Sequence, residues 1–114
     1  MDRFNIEMAK KYGAKAAIVA QFIWDSLDNQ DCVGEVYEYE GKVWLRCSIL
    51  MMTGAMPYLS NHMIRDALHI LTQERVLKKG SFNYSKYDRT NWYSFTDFGM
   101  YMITKGVEIN GEEW

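Results

Sequence analysis

The 114-residue sequence predicts an α+β fold on three observations. Helical patterns open and close the chain, β-rich runs lie in its second quarter, and between Ser48 and Tyr93 two short helical patterns precede a Lys/Arg-punctuated hairpin. Helix, turn, helix and hairpin in this order are typical of a winged helix-turn-helix. We therefore predict that unit with an additional N-terminal helix pair and β-hairpin, in one domain over residues 1–106, followed by a flexible tail over residues 107–114.

Two helices open the predicted domain. Residues 6–12 have helical composition and end at Gly13, the residue type favoured just after a helix C-terminus. A second helix is predicted from Ala14 to Asp28, and its apolar side chains cover most of its circumference. Since such a helix must be buried on more than one side, we predict either the central core helix or part of a subunit contact.

A β-hairpin and a short helix follow. Residues 36–39 and 42–46 are β-rich runs on either side of Glu40-Gly41, which predicts a two-residue turn. Ser48 fits the N-cap of the next helix. That helix must end by Gly54 to Met56, because Pro57 disfavours helical geometry in the residue before it.

The next helix is predicted to present one apolar and one polar face. Ser60 fits its N-cap, and Ile64, Ala67, Leu68 and Leu71 recur at helical spacing. The residues left on the opposite face are polar: Asn61, His62, Arg65, Asp66, His69 and Gln73.

The wing and the last helix complete the predicted domain. A strand opens at Val76-Leu77, a polar loop covers residues 78–90, and residues 91–95 alternate as a returning strand. Thr96 fits the N-cap of a helix from Asp97 to Lys105. Four large side chains are predicted to pack inside: Trp44, Met51, Trp92 and Tyr93.

Composition excludes several classes of protein. The longest apolar run is far shorter than the roughly 20 residues that span a bilayer, and the N-terminus lacks the features of a secretory signal, so we expect a cytoplasmic protein without a membrane partner. Cys32 and Cys47 lack the spacing of a zinc or redox site, and we expect inert, reduced thiols.

No pattern typical of catalysis occurs. Phosphate-binding glycine loops and paired metal-ligand motifs are missing from the sequence. His62 and His69 are seven residues apart on one predicted helix, about 10 Å along its axis, which is too far to chelate one metal. We therefore expect no enzymatic activity, no metal and no cofactor.

Charge is distributed unevenly along the chain. The net charge of −2 argues weakly against a nucleic-acid binder. However, residues 60–92 hold six basic and three acidic residues, whereas the remainder holds seven basic and twelve acidic ones. This indicates an acidic flank joined to a basic module. The alternative is that the charges simply occupy solvated faces.

The basic module supplies candidate DNA contacts. In helix-turn-helix docking the N-terminal part of the second helix reaches base edges. This selects the polar helix residues Asn61, His62, Arg65 and His69. Wing contacts to phosphates or the minor groove would come from Lys78, Lys79, Tyr84, Lys86, Arg89 and Asn91. The alternative for both sets is an ordinary polar helix face and a hairpin kept soluble by its lysines.

Four motifs follow one another along the chain. They are Phe4…Tyr12-Gly13-x-x-Ala16-Ala17, Gly41-Lys42-x-Trp44-x-Arg46-x-Ser48, Tyr58-Leu59-Ser60-x-x-x-Ile64-Arg65-x-Ala67-Leu68 and Asp88-Arg89-Thr90-x-Trp92-Tyr93. Together they resemble the winged-helix domain of phage and plasmid replisome organisers and, more distantly, the N-terminal domain of the primosomal protein DnaD.

The resemblance implies DNA binding during replication initiation in a low-GC Gram-positive bacterium or its prophage, often with self-association. By position, it implies a recognition helix from Ser60 to Arg75 and a wing from Val76 to Phe95. We therefore expect a non-catalytic module for double-stranded DNA, with replication proteins and further copies of the chain as additional partners. The alternatives are a homo-oligomerising protein-interaction module of a primosome-like assembly and a transcriptional regulator.

Overall fold

The computed structural model describes residues 5–28 and 34–112, with side chains described as far as Thr104. This part of the chain forms five helices and four strands, which confirms the predicted α+β class. In chain order they are α1 (Ile6–Tyr12), α2 (Ala14–Asp28), β1 (Glu35–Tyr39), β2 (Lys42–Arg46), α3 (Ile49–Ala55), α4 (Asn61–Gln73), β3 (Leu77–Gly80), β4 (Trp92–Phe95) and α5 (Asp97–Glu112). The order α3, α4, β3, β4 is compatible with a winged-helix-like fold.

The four strands form one antiparallel sheet in the order β1-β2-β4-β3. Its first hairpin turns at Glu40 and Gly41, whose φ angles of 55° and 76° are both positive. Positive φ at both central residues belongs to the type I′ turn, which matches the twist of the flanking strands. The predicted two-residue turn is therefore confirmed.

Helix α2 is the central helix of the core. Ala17, Val19 and Ile23 are fully buried, and the helix packs against α1, α4 and β2. Its Trp24 ring meets Phe95 of β4 edge-on, with 5.3 Å between ring centroids. The prediction of a core helix buried on more than one side is thus confirmed.

Hydroxyl caps start the three helices that were predicted to have them. The Ser48 hydroxyl accepts from the Met51 N–H at 3.1 Å, and the Ser60 hydroxyl accepts from the Met63 N–H at 3.1 Å. Thr96 caps α5 by accepting from the Gly99 N–H at 3.0 Å. These bonds satisfy N–H groups that lack a partner within the helix, so the caps fix where α3, α4 and α5 begin.

Two expectations about the helices are wrong. Helix α5 continues to Glu112 instead of ending at Lys105. Gly106 lies inside it, because a glycine in a helix interior costs only about 1 kcal/mol relative to alanine and does not force an end. Met51 is 38% exposed instead of buried, since α3 turns the neighbouring Met52 into the core.

The remaining core predictions are confirmed. Trp44, Trp92 and Tyr93 are all buried. Cys47 is buried as well, and its thiol donates to the Ser48 carbonyl with a sulfur–oxygen distance of 3.6 Å. Cys32 lies outside the described residues.

A second aromatic layer covers the face of the sheet turned away from α2 and α4. Phe82, from the loop after β3, lies against Tyr39, Trp44 and Trp92 with centroid distances of 4.4, 4.9 and 5.4 Å. Gly80 permits this packing, because a Cβ there would come within 2.9 Å of both Phe82 and Trp44. The loop is therefore folded onto the sheet and does not extend freely from it.

Within residues 5–28 and 34–112, every helix is too short or too polar to serve as a membrane span.

Candidate nucleic-acid interface

A cleft of about 940 Å³ lies between α4 and the wing. Arg65, His69 and Thr72 of α4 line one side, and Lys79 and Arg89 line the other. These residues come from three separate parts of the chain, which the fold brings to one surface.

The structure brings five of the ten predicted DNA-contacting residues into this cleft. All five are exposed or half-exposed: Arg65, His69, Lys79, Arg89 and Asn91. Three of them are permanent cations, and Asp66 is the one carboxylate among the residues that line the cleft. The cleft therefore carries a positive surplus.

Helical periodicity places the α4 contributions. Ile64 and Leu71 are fully buried toward the core, whereas Arg65 and His69, four residues apart, lie exposed on the opposite side. Asn61 and His62 are also exposed, but they lie one turn before Arg65 and do not line the cleft. The polar face predicted from the sequence is confirmed as exposed.

Strand alternation separates the two neighbouring lysines of β3. Lys79 pairs with Tyr93 across the sheet and lines the cleft. Lys78 pairs with Ser94 and, because successive side chains of a strand point to opposite faces, projects from the other side of the sheet. Adjacent cations of equal charge thus occupy different environments.

Tyr93 forms the floor of the cleft. It is only 3% exposed, and its hydroxyl accepts from the Asn91 amide at 3.4 Å. Burial raises the pKa of the Tyr93 phenol above its usual value, while the bond from Asn91 and the charge of Arg65 partly oppose that shift. The phenol stays neutral at physiological pH, and Arg65 is close enough to act on it electrostatically.

Asp66 has a partner on its own helix. Its carboxylate lies 3.2 Å from the His62 imidazole, one turn earlier, and both side chains are largely exposed. When the imidazole is protonated, this contact is an ion pair that offsets the negative charge beside the cleft.

Asn83 holds the wing loop in place. Its side-chain oxygen accepts from Arg46 Nε at 3.1 Å and from Trp92 Nε1 at 2.8 Å. Its side-chain nitrogen donates to the carbonyls of Asp88 and Thr90 at 3.0 and 2.7 Å. One amide therefore joins β2, β4 and two points of the loop.

Arg46 ties the same loop to the first hairpin. Its guanidinium donates to Glu35 at 2.6 Å and also to the carboxylate of Asp88. Hydrogen bonds from Thr90, and then the bond from Arg46, lower the pKa of Asp88 from 3.8 to about 2. Both carboxylates are therefore paired with one cation.

Sequence reasoning missed this anchor. Arg46 and Asp88 each stand in a quoted motif, Trp-x-Arg-x-Ser and Asp-Arg-Thr-x-Trp-Tyr, but 42 residues separate them. The opposite charges of Arg46 and Asp88 were the only sign of this pairing in the sequence. The pairing of β2 with β4 shows that the two residues meet.

The tip of the wing lies outside the cleft. Tyr84 is fully exposed at 108% and Tyr87 is 82% exposed. Lys86 is exposed between them, with its Nζ 5.4 Å from the centroid of the Tyr87 ring. Two large aromatic side chains and a cation therefore project together into solvent.

A second, smaller cavity of about 360 Å³ lies at the other end of the sheet. Trp24, Val43, Phe95 and Met100 line it. Among the described residues, no three His, Cys, Asp or Glu side chains are grouped so as to hold a metal ion.

No protein-family model matches this chain, and neither does any curated protein or any solved structure.

Proposed function

We propose that this protein binds double-stranded DNA non-covalently through the cleft between α4 and the wing. The observation that carries the proposal is the convergence of Arg65, Lys79 and Arg89 on one open cleft. Cations gathered this way neutralise phosphates and release condensed counterions, which supplies most of the affinity for duplex DNA.

The two sides of the cleft would have different tasks. An α-helix is about 10–12 Å across with its side chains, close to the roughly 12 Å width of the major groove. Arg65 on α4 is then the residue placed to pair with a guanine edge, a contact worth roughly 1–3 kcal/mol of discrimination. Lys79 and Arg89 would contact phosphates, which position the protein without reading sequence.

The biological setting proposed for this binding is phage-type replication initiation. It is supported by the resemblance of the four motifs to replisome organisers. A transcriptional regulator would use the same contacts at other sites. A homo-oligomerising interaction module would use the hairpin of β1 and β2, with its acidic residues Glu35, Glu38 and Glu40, in place of the cleft.

The neighbouring lysines of β3 give a matched test. Fluorescence anisotropy with a labelled random-sequence duplex, at about 50 and about 200 mM salt, compares Lys79→Glu with Lys78→Glu. Both variants change the charge equally, but only Lys79 lines the cleft. We expect Lys79→Glu to lower affinity by roughly ten-fold or more at low salt and to flatten the salt dependence, because fewer counterions are released.

Lys78→Glu should change the affinity for DNA by less than about three-fold, because Lys78 projects from the other face of the sheet and salt screens its charge from DNA bound in the cleft. Equal losses in the two variants would mean that net charge, and not the cleft, governs binding. If the wild-type protein does not bind the duplex but light scattering shows that it self-associates, the interaction module would be favoured.

A further inference from the structure

We propose that the wing tip, defined as residues 84–87, stacks on unpaired bases, so that the protein prefers duplex DNA ending in an open single-stranded junction over fully paired duplex. The proposal rests on the proposed function and extends it by naming the form of DNA that the site favours. Its chemistry is aromatic stacking assisted by a neighbouring cation.

Exposure of the tip tyrosines is the first observation. The same loop buries Phe82 against Trp44 and Trp92, yet it leaves Tyr84 and Tyr87 at 108% and 82% exposure. Large aromatic side chains gain free energy when they leave water. Two of them exposed within four residues of one loop therefore offer surfaces on which a flat apolar partner gains contact.

Hydrogen bonds hold the tip at both ends. Asn83 and Asp88 bracket it, and both are hydrogen-bonded into the anchor on Arg46. Within the tip, the Tyr87 N–H donates to the Ser85 hydroxyl at 3.2 Å, and the Asp88 N–H donates to the Ser85 carbonyl at 3.1 Å. A loop already ordered before binding loses less conformational freedom when a partner docks.

Charge identifies the partner as nucleic acid. Lys86 lies over the Tyr87 ring and Arg89 follows at the edge of the cleft, so cations flank the aromatic surface. The nearby carboxylates of Asp88 and Glu35 are paired with Arg46 and do not act as isolated negative charges. Aromatic side chains interleaved with cations are the usual platform for bases and phosphates of a single strand.

Position explains why the bases must be unpaired. Tyr87 is two residues from Arg89, at most about 7 Å between Cα atoms, so the tip begins within that distance of a residue that lines the cleft. A duplex held in the cleft reaches the tip at its margin. Bases inside a duplex are already stacked on their neighbours, whereas bases of an open junction offer a free face.

The test compares a blunt duplex with the same duplex carrying a single-stranded extension at one end. Binding is measured by anisotropy, and 2-aminopurine in the first unpaired nucleotides reports stacking by fluorescence quenching. We expect wild-type protein to bind the extended duplex at least about five-fold more tightly, the effect of stacking one base, and to quench the probe.

The Tyr84→Ala/Tyr87→Ala double variant should lose that preference and the quenching, so that its affinities for the extended and the blunt duplex agree within about two-fold. The Tyr84→Trp/Tyr87→Trp variant should keep both the preference for the extended duplex and the quenching, because tryptophan also stacks on bases. Unchanged urea midpoints would confirm that substitutions at these largely exposed positions leave the fold intact.

Failure of each proposal has its own outcome. Equal wild-type affinity for both DNAs, or equal loss on both in the double alanine variant, would overturn the stacking proposal alone. Binding of the extended DNA but not of the blunt duplex would overturn the duplex-binding proposal alone. Absence of binding to either DNA would overturn both.

Discussion

Replacement of Asn83 by alanine tests the anchor of the wing. The substitution removes four hydrogen bonds at once, two accepted from Arg46 and Trp92 and two donated to the carbonyls of Asp88 and Thr90. Nothing else in the alanine side chain can replace them. The wing loop and the second aromatic layer should therefore lose the hydrogen bonds that join them.

The magnitude follows from the count and the burial. A typical intramolecular hydrogen bond contributes about 1 kcal/mol net, so four set an upper value of about 4 kcal/mol. Asn83 is only half-buried, and water can reach part of the vacated space. We therefore expect Asn83→Ala to lower the free energy of unfolding by about 2–3 kcal/mol.

Urea denaturation followed by tryptophan fluorescence measures this loss. Asn91→Ala is the matched control, because the Asn91 amide makes one long contact of 3.4 Å to Tyr93. We expect the control to lose less than about 1 kcal/mol. Equal shifts of the two urea midpoints, or a loss below about 0.5 kcal/mol for Asn83→Ala, would refute the role of Asn83 as the anchor.

Three further predictions concern stability. The folded-state pKa of Asp88 is lowered from 3.8 to about 2, so its carboxylate stabilises the fold above about pH 4 and loses that effect as the pH falls toward 2. We therefore expect Asp88→Asn to flatten the acid side of the unfolding curve that circular dichroism records against pH. Parallel curves for the variant and the wild type would contradict this. Gly99→Ala should lower the free energy of unfolding in urea by about 1–3 kcal/mol, since its Cβ would overlap the Val76 carbonyl. Gly54→Ala, with open space around it, should raise that free energy by up to about 1 kcal/mol. Similar effects of the two substitutions would show that the space around each glycine does not decide them. Asn5→Asp should cost about 1–3 kcal/mol, because the buried side-chain nitrogen that donates to two carbonyls of α5 becomes an oxygen, and an unchanged urea midpoint would exclude that role.

Local rules account for the features that the sequence predicted correctly. Helix caps at Ser48, Ser60 and Thr96 depend on a hydroxyl and the next three residues, and the Glu40-Gly41 turn depends on two backbone conformations. The polar face of α4 follows from a period of 3.6 residues. Such features can be predicted because the atoms involved are close in sequence.

Features that depend on distant contacts could not be predicted. The pairing of Arg46 with Asp88 requires β2 to lie beside β4, and the exposure of Met51 depends on which side of α3 meets the core. The loop expected over residues 78–90 begins only after Gly80, so Lys78 and Lys79 lie in β3, and of the two only Lys79 faces the cleft. The sequence also gave no reason for Phe82 to fold back onto the sheet.

Strand β1 leaves one edge of the sheet open, because among the described strands it pairs only with β2. Its five residues include Glu35 and Glu38 and no basic side chain. Arg46 offsets the charge of Glu35, but a second copy laid alongside would bring the Glu38 carboxylates of both copies into a strip two strands wide, and like charges across strands are unfavourable. This repulsion protects the molecule against edge-to-edge aggregation, and concentrated salt weakens the protection by screening it.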